Sequence, residues 1–157
     1  MPINSTYVSV DENYNFPPQV VEALSSSPEL KRRTRKTAVI QTTALEASSI
    51  WSNKVELGVG YRLLSVQTTH PARIRIYATE AHRDADVSRL IGVDPVGMHG
   101  LIFEYVSTSE VLGGPLSPFV DGANLEEVPD SFIAISIQNL ATTTQTLEVT
   151  FIYIETE

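Results

Sequence analysis

Alternation with a period of two, cut into short runs, is the feature that most limits what this chain can fold into. In residues 72–78 (ARIRIYA), Ile74 and Ile76 share one face while Arg73, Arg75 and Tyr77 share the other. That is the pattern of a half-buried antiparallel strand. Residues 100–107 set Leu101, Phe103 and Tyr105 against Ile102, Glu104 and Val106. Ile133, Ile135 and Ile137 face one way, and so do Leu147, Val149, Phe151 and Tyr153. Residues 37–47 are rich in β-branched types, and residues 54–69 alternate around a bend or bulge at Gly58 and Gly60. Turn signals separate the runs: His70-Pro71, Asp94-Pro95, Gly97 to Gly100, Gly113-Gly114-Pro115, Pro118, Asp121-Gly122, Pro129-Asp130 and Ala141 to Thr144. Only residues 79–90 lack alternation, and they read as a short helix or a long loop. No two runs are separated by a helix of ordinary length, which argues against parallel βαβ units. The expectation is an all-β protein, an antiparallel two-sheet sandwich of seven or eight strands, jelly-roll-like.

Charge divides the 157 residues into an arm and a body. Residues 1–36 carry five basic and four acidic side chains, and all five cations lie in one run: Lys31, Arg32, Arg33, Arg35 and Lys36. Residues 37–157 carry six basic and fifteen acidic side chains. The arm has no sustained period and is punctuated by Pro2, Pro17, Pro18 and Pro28, with a short helix expected at residues 19–24. It reads either as a mobile tail or as an extended segment docked on a partner through Tyr7, Tyr14, Phe16, Val20, Val21 and Leu24. The basic run has two readings, phosphate binding or targeting and a grip on an acidic protein surface, and the second is preferred. A net charge of −8 argues against a nucleic-acid partner. No apolar run is long enough to span a bilayer, no signal peptide is read at the start, and no membrane partner is expected.

Candidate chemistry is sparse. The absence of cysteine excludes disulfides, thiolate metal sites and cysteine nucleophiles. His82, Asp84 and Asp86 place oxygen and nitrogen donors in an H-x-D-x-D pattern that would suit a hard cation. The rest of a calcium loop is missing, so Asp–Arg pairs with Arg83 and Arg89 are the preferred reading. His99 sits in a Gly-rich turn near Asp94 with no serine or cysteine nucleophile in a matching context. Glu126-Glu127 are adjacent rather than facing across a cleft, unlike a glycosidase pair. Trp51 reads as a plug for one end of the sandwich, or else as a ring on which a sugar stacks. No enzyme, cofactor or metal is expected.

The stretch 72–95 carries an R-x-R-x-Y strand (Arg73, Arg75, Tyr77), an A-D-x-S-R element (Ala85, Asp86, Ser88, Arg89) and I-G-x-D-P (Ile91, Gly92, Asp94, Pro95). Downstream come G-L-I-x-E (Gly100 to Glu104), D-G-A-N-L-E (Asp121 to Glu126) and a strand ending in Asn139-Leu140. Over residues 60–156 this resembles small tailed-bacteriophage structural proteins. The resemblance implies a non-enzymatic virion protein assembled in the host cytoplasm. It would be a capsid cement or decoration protein, partnered by the major capsid protein or another virion protein and forming a dimer or trimer. A tail, baseplate or fibre-attachment component is the first alternative, and a carbohydrate-binding module the second. Within the matched stretch, Arg73, Arg75, Asp86, Arg89 and Asp94 are expected to be structural. Asp86 pairs with Arg89 three residues on, Arg73 and Arg75 pair with Asp84 or Asp86, and Gly92 with Asp94-Pro95 turns the chain back to the sheet.

Overall fold

A computed structural model describes residues 34–157. The arm candidates Tyr7, Tyr14, Phe16, Val20, Val21, Leu24, Lys31, Arg32 and Arg33, and the helix expected at 19–24, lie outside the described residues. The described chain runs β1 (Arg35–Leu45), β2 (Ile50–Glu56), β3 (Gly60–Thr68), β4 (Ala72–Tyr77), α1 (Glu80–Asp86), β5 (Leu101–Val106), β6 (Gly113–Ala123), β7 (Phe132–Asn139) and β8 (Gln145–Glu155). Arg35 and Lys36, read from sequence as the end of the arm, are the first residues of β1.

Strand pairing explains the architecture. β1 pairs with β8, β2 with β7, β3 with β6 and β4 with β5, all antiparallel. One long antiparallel hairpin has the same four pairs. Rolling that hairpin sets β8 beside β3 and β7 beside β4. The product is two four-stranded sheets, β1-β8-β3-β6 and β2-β7-β4-β5, wound as a jelly roll. The expected all-β sandwich is therefore what the chain forms. Its winding puts the β2–β3, β4–β5 and β6–β7 connections at one end and the remaining four at the other.

The alternating residues form the core. Leu63, Val66, Ile74, Ile76, Ile135, Ile137, Leu147, Val149 and Phe151 are all fully buried between the sheets. Each such aliphatic side chain contributes about 2 kcal/mol of burial. Trp51, read from sequence as a plug for one end of the sandwich or a sugar-stacking ring, lies on β2 opposite Ile137 and packs half-buried against this core.

Three sequence expectations need correction. First, β4 is not half-buried, for all six of its residues are buried. The reason is a second layer over its outer face, described below. Second, Gly113-Gly114-Pro115, Pro118 and Asp121-Gly122 are not turns but parts of the strand β6. β6 is an edge strand, where a missing proline N–H leaves no ladder bond unmade, and its pairing with β3 shifts register between Leu63 and Ser65. Third, residues 54–69 are not one bent run. The chain leaves one sheet at Glu56 and enters the other at Gly60, turning through Gly58 at φ +94°.

Candidate interaction surface

The extra layer consists of α1 and the segment that follows it, residues 87–100, here called the strap. Thr79 starts α1, its side-chain oxygen accepting from the His82 N–H at 3.2 Å. The Glu126 carboxylate accepts from the Glu80 N–H at 2.6 Å, adding an anion at the helix start. α1 packs on β7 and β4, and the strap then runs along the outer face of β4 before returning to β5.

What holds the strap is a cluster of arginines. Arg73 and Arg75 point outward from β4, yet they are 1% and 0% exposed. Arg75 donates to the carbonyls of Asp86 (2.8 Å) and Val87 (3.1 Å). Arg73 donates to the carbonyl of Arg89 at 2.6 Å and reaches that of Leu90 at 3.5 Å. Arg89 turns back and donates to the carbonyl of Val93 at 2.7 Å. The guanidinium groups thus satisfy carbonyls of a segment that has no ladder of its own.

Two carboxylates tie the cations together. Glu104 of β5 accepts from Arg73 at 2.6 Å with one oxygen and from Arg89 at 2.6 Å with the other. Asp86 accepts from Arg89 at 2.8 Å and from the Tyr77 hydroxyl at 2.7 Å, and lies 3.6 Å from Arg75. Burial alone would raise the pKa of both acids. The hydrogen bonds from Arg89 and Tyr77 at Asp86, and from Arg89 and Arg73 at Glu104, outweigh it and hold both below the ordinary carboxylate range. Burial pushes the Tyr77 phenol up to about 12, helped by Asp86. Burial also lowers Arg75, and the neighbouring Arg73 adds to the effect. Three guanidiniums face two carboxylates, so the cluster carries one excess positive charge.

The expected Asp86–Arg89 pair forms, as does the contact between Arg75 and Asp86. Arg73 instead pairs with Glu104, and Asp84 pairs with its neighbour Arg83 at 2.8 Å. Glu104 and Tyr77 are the members that reasoning from the sequence did not assign. Both stand within quoted motifs, and alternation does place Tyr77 on the face of Arg73 and Arg75. Asp94 is exposed in the strap beyond Gly92, whose φ of +80° makes the turn. His82 sits 2.7 Å from the Thr79 hydroxyl, and His99 Nδ1 accepts from the Leu101 N–H. Among the described residues no group of three metal-ligating side chains converges, and no helix is long and apolar enough to cross a membrane.

Five large apolar residues are exposed on the strap, beside Ser88 and Asp94. Val96 and Met98 are 88% and 94% exposed, Leu90 is 72% exposed, and Ile91 and Val93 are about half exposed. Between the strap and the β2–β7 side of the sheet lies a cleft of about 460 Å³, lined by Ile50, Val87, Leu90, Ile91 and Gln138 above Arg73 and Arg89. The guanidinium bonds fix residues 86–93, so Leu90, Ile91 and Val93 are preorganised and lose little ordering entropy when something binds to them, while Val96 and Met98 lie beyond the last of these bonds.

Comparison with known proteins finds no matching family model, no similar curated protein and no similar solved structure.

Proposed function

We propose that this chain is a non-enzymatic virion structural protein, a cement or decoration protein that reinforces a capsid. The body docks through the apolar strap, and the N-terminal arm adds reach. One observation supports this best: the arginine cluster spends three buried guanidiniums on fixing a loop whose side chains face solvent. Exposed apolar residues on a rigid support are the features of a contact surface. The jelly-roll winding is compatible with this role, since capsid domains use it, although lectin domains and cupins do as well. The motif resemblance over residues 60–156 directs the choice to virion proteins. Repeated at symmetric positions, modest contacts per copy sum to strong reinforcement.

The test is the copy number of the chain in purified virions, read from a stained gel against the major capsid protein. On the order of hundreds of copies is the expected result for a shell component. A few dozen copies would place it in the tail, and absence from the particle would overturn the reading.

A further inference from the structure

The four edge strands are not equally protected. β6 carries Pro115 and Pro118, β5 is only six residues long, and β2 has its Asn53 carbonyl taken by Arg83 at 2.9 Å. Proline, short length and capped backbone groups are the usual defences of a sheet edge. β1 has none of these. It is eleven residues long, contains three threonines, a valine and an isoleucine, and is uncharged after Lys36. Its one irregularity is a register shift between Gln41 and Ala44, which leaves residues 35–41 as a regular edge. Among the described residues nothing pairs with its outer side.

We propose that a second copy of this chain pairs with β1, strand to strand and antiparallel about a two-fold axis near Ala38. The two β1-β8-β3-β6 sheets then become one eight-stranded sheet. Three observations favour a second copy as the occupant. Residues 35–41 are self-complementary in that orientation, with Arg35 beside Gln41 of the second copy and Thr37 beside Val39. The cations lie at opposite ends of the joint, and Gln41 is itself paired with Glu148 on β8. Arg35 of each copy therefore comes within side-chain reach of Glu148 of the other, on the same sheet face. Val39 is 58% exposed and Ile152, paired with Thr37, is 37% exposed. The two-fold sets Val39 of one copy beside Thr37 of the second, so Val39 and Ile152 flank one threonine across the joint. This inference does not rest on the virion reading.

The test uses the full-length protein in sedimentation velocity at increasing concentration, with hydrogen exchange read at the β1 amides. The expected species has twice the 17.3 kDa chain mass. Arg35→Glu, which sets carboxylate against Glu148, weakens association about ten-fold. Glu148→Arg weakens it as well, and the double variant restores it. Both positions are on the surface, and unchanged melting temperatures confirm that the fold is intact. The β1 amides gain protection as the dimer forms. A chain that stays monomeric up to about 100 μM overturns the proposal. If the outward-facing β1 amides, those not bonded to β8, are already protected, the protein's own N-terminal segment occupies the edge instead. A dimer indifferent to Arg35→Glu but broken by Met98→Asp also overturns it, because the strap is then the interface.

Discussion

Glu104 is the residue on which the strap's position turns. Its two oxygens bridge Arg73 and Arg89, so Glu104→Gln leaves the buried Arg73 without a carboxylate partner and Arg89 with Asp86 alone. Breaking a buried ion pair costs several kcal/mol. Because Glu104 is partly exposed, the expected loss is about 2 kcal/mol, read as a lower urea midpoint. Two asparagines of the quoted motifs are also closures. Asn139 is fully buried, its amide nitrogen within reach of the carbonyls of Leu45, Glu46 and Thr143, and its oxygen accepts from the Ala141 N–H. Asn124 does the same at the other end of the sandwich, reaching Asp130 and Phe132 and accepting from Glu126. Asn139→Ala strands those groups and should cost about 2–3 kcal/mol. A loss under about 0.5 kcal/mol in a melting experiment would show that the closure is dispensable.

At the scale of elements, the strap is a pH-sensitive attachment. Asp86 and Glu104 have folded pKa values below their ordinary ones. The stability they contribute is complete above the unfolded carboxylate value, near pH 4, and is lost as pH falls through the folded values. Thermal midpoints should therefore drop as pH falls below about 4, and the drop should flatten in Glu104→Gln. The core strands were legible in the sequence because an isoleucine at every second position has only one stable placement. The Asp86–Arg89 pair was legible because both partners lie on one helical turn. The depth of Arg73 and Arg75 was not. Alternation assigns charged residues to solvent, and only the fold shows that α1 and the strap cover them. Glu104 escaped notice because it meets Arg89 across fifteen positions of chain and a strand pairing. β6 was misread because glycine and proline signal turns locally, while tolerance at a sheet edge depends on where the strand ends up.

For the whole molecule, a jelly roll separates stability from display. The two sheets share one core, and the β4–β5 connection that leaves it carries five of the exposed large apolar residues, among them the two most exposed, Val96 and Met98. Every described strand begins at or after Arg35, so a chain lacking residues 1–33 should fold with an unchanged melting temperature. It should also lose affinity for particles, as the arm reading requires. Equal binding by the shortened chain would remove the arm from the account. The central claim, that the arginine-held strap is an assembly surface, is tested by Val96→Asp combined with Met98→Asp. Both residues are almost fully exposed, so the variant should melt like the parent. The most direct measurement is its occupancy on particles prepared without this chain, compared with that of the parent. The account predicts a folded protein that leaves the particles essentially bare. Occupancy equal to the parent's would contradict it.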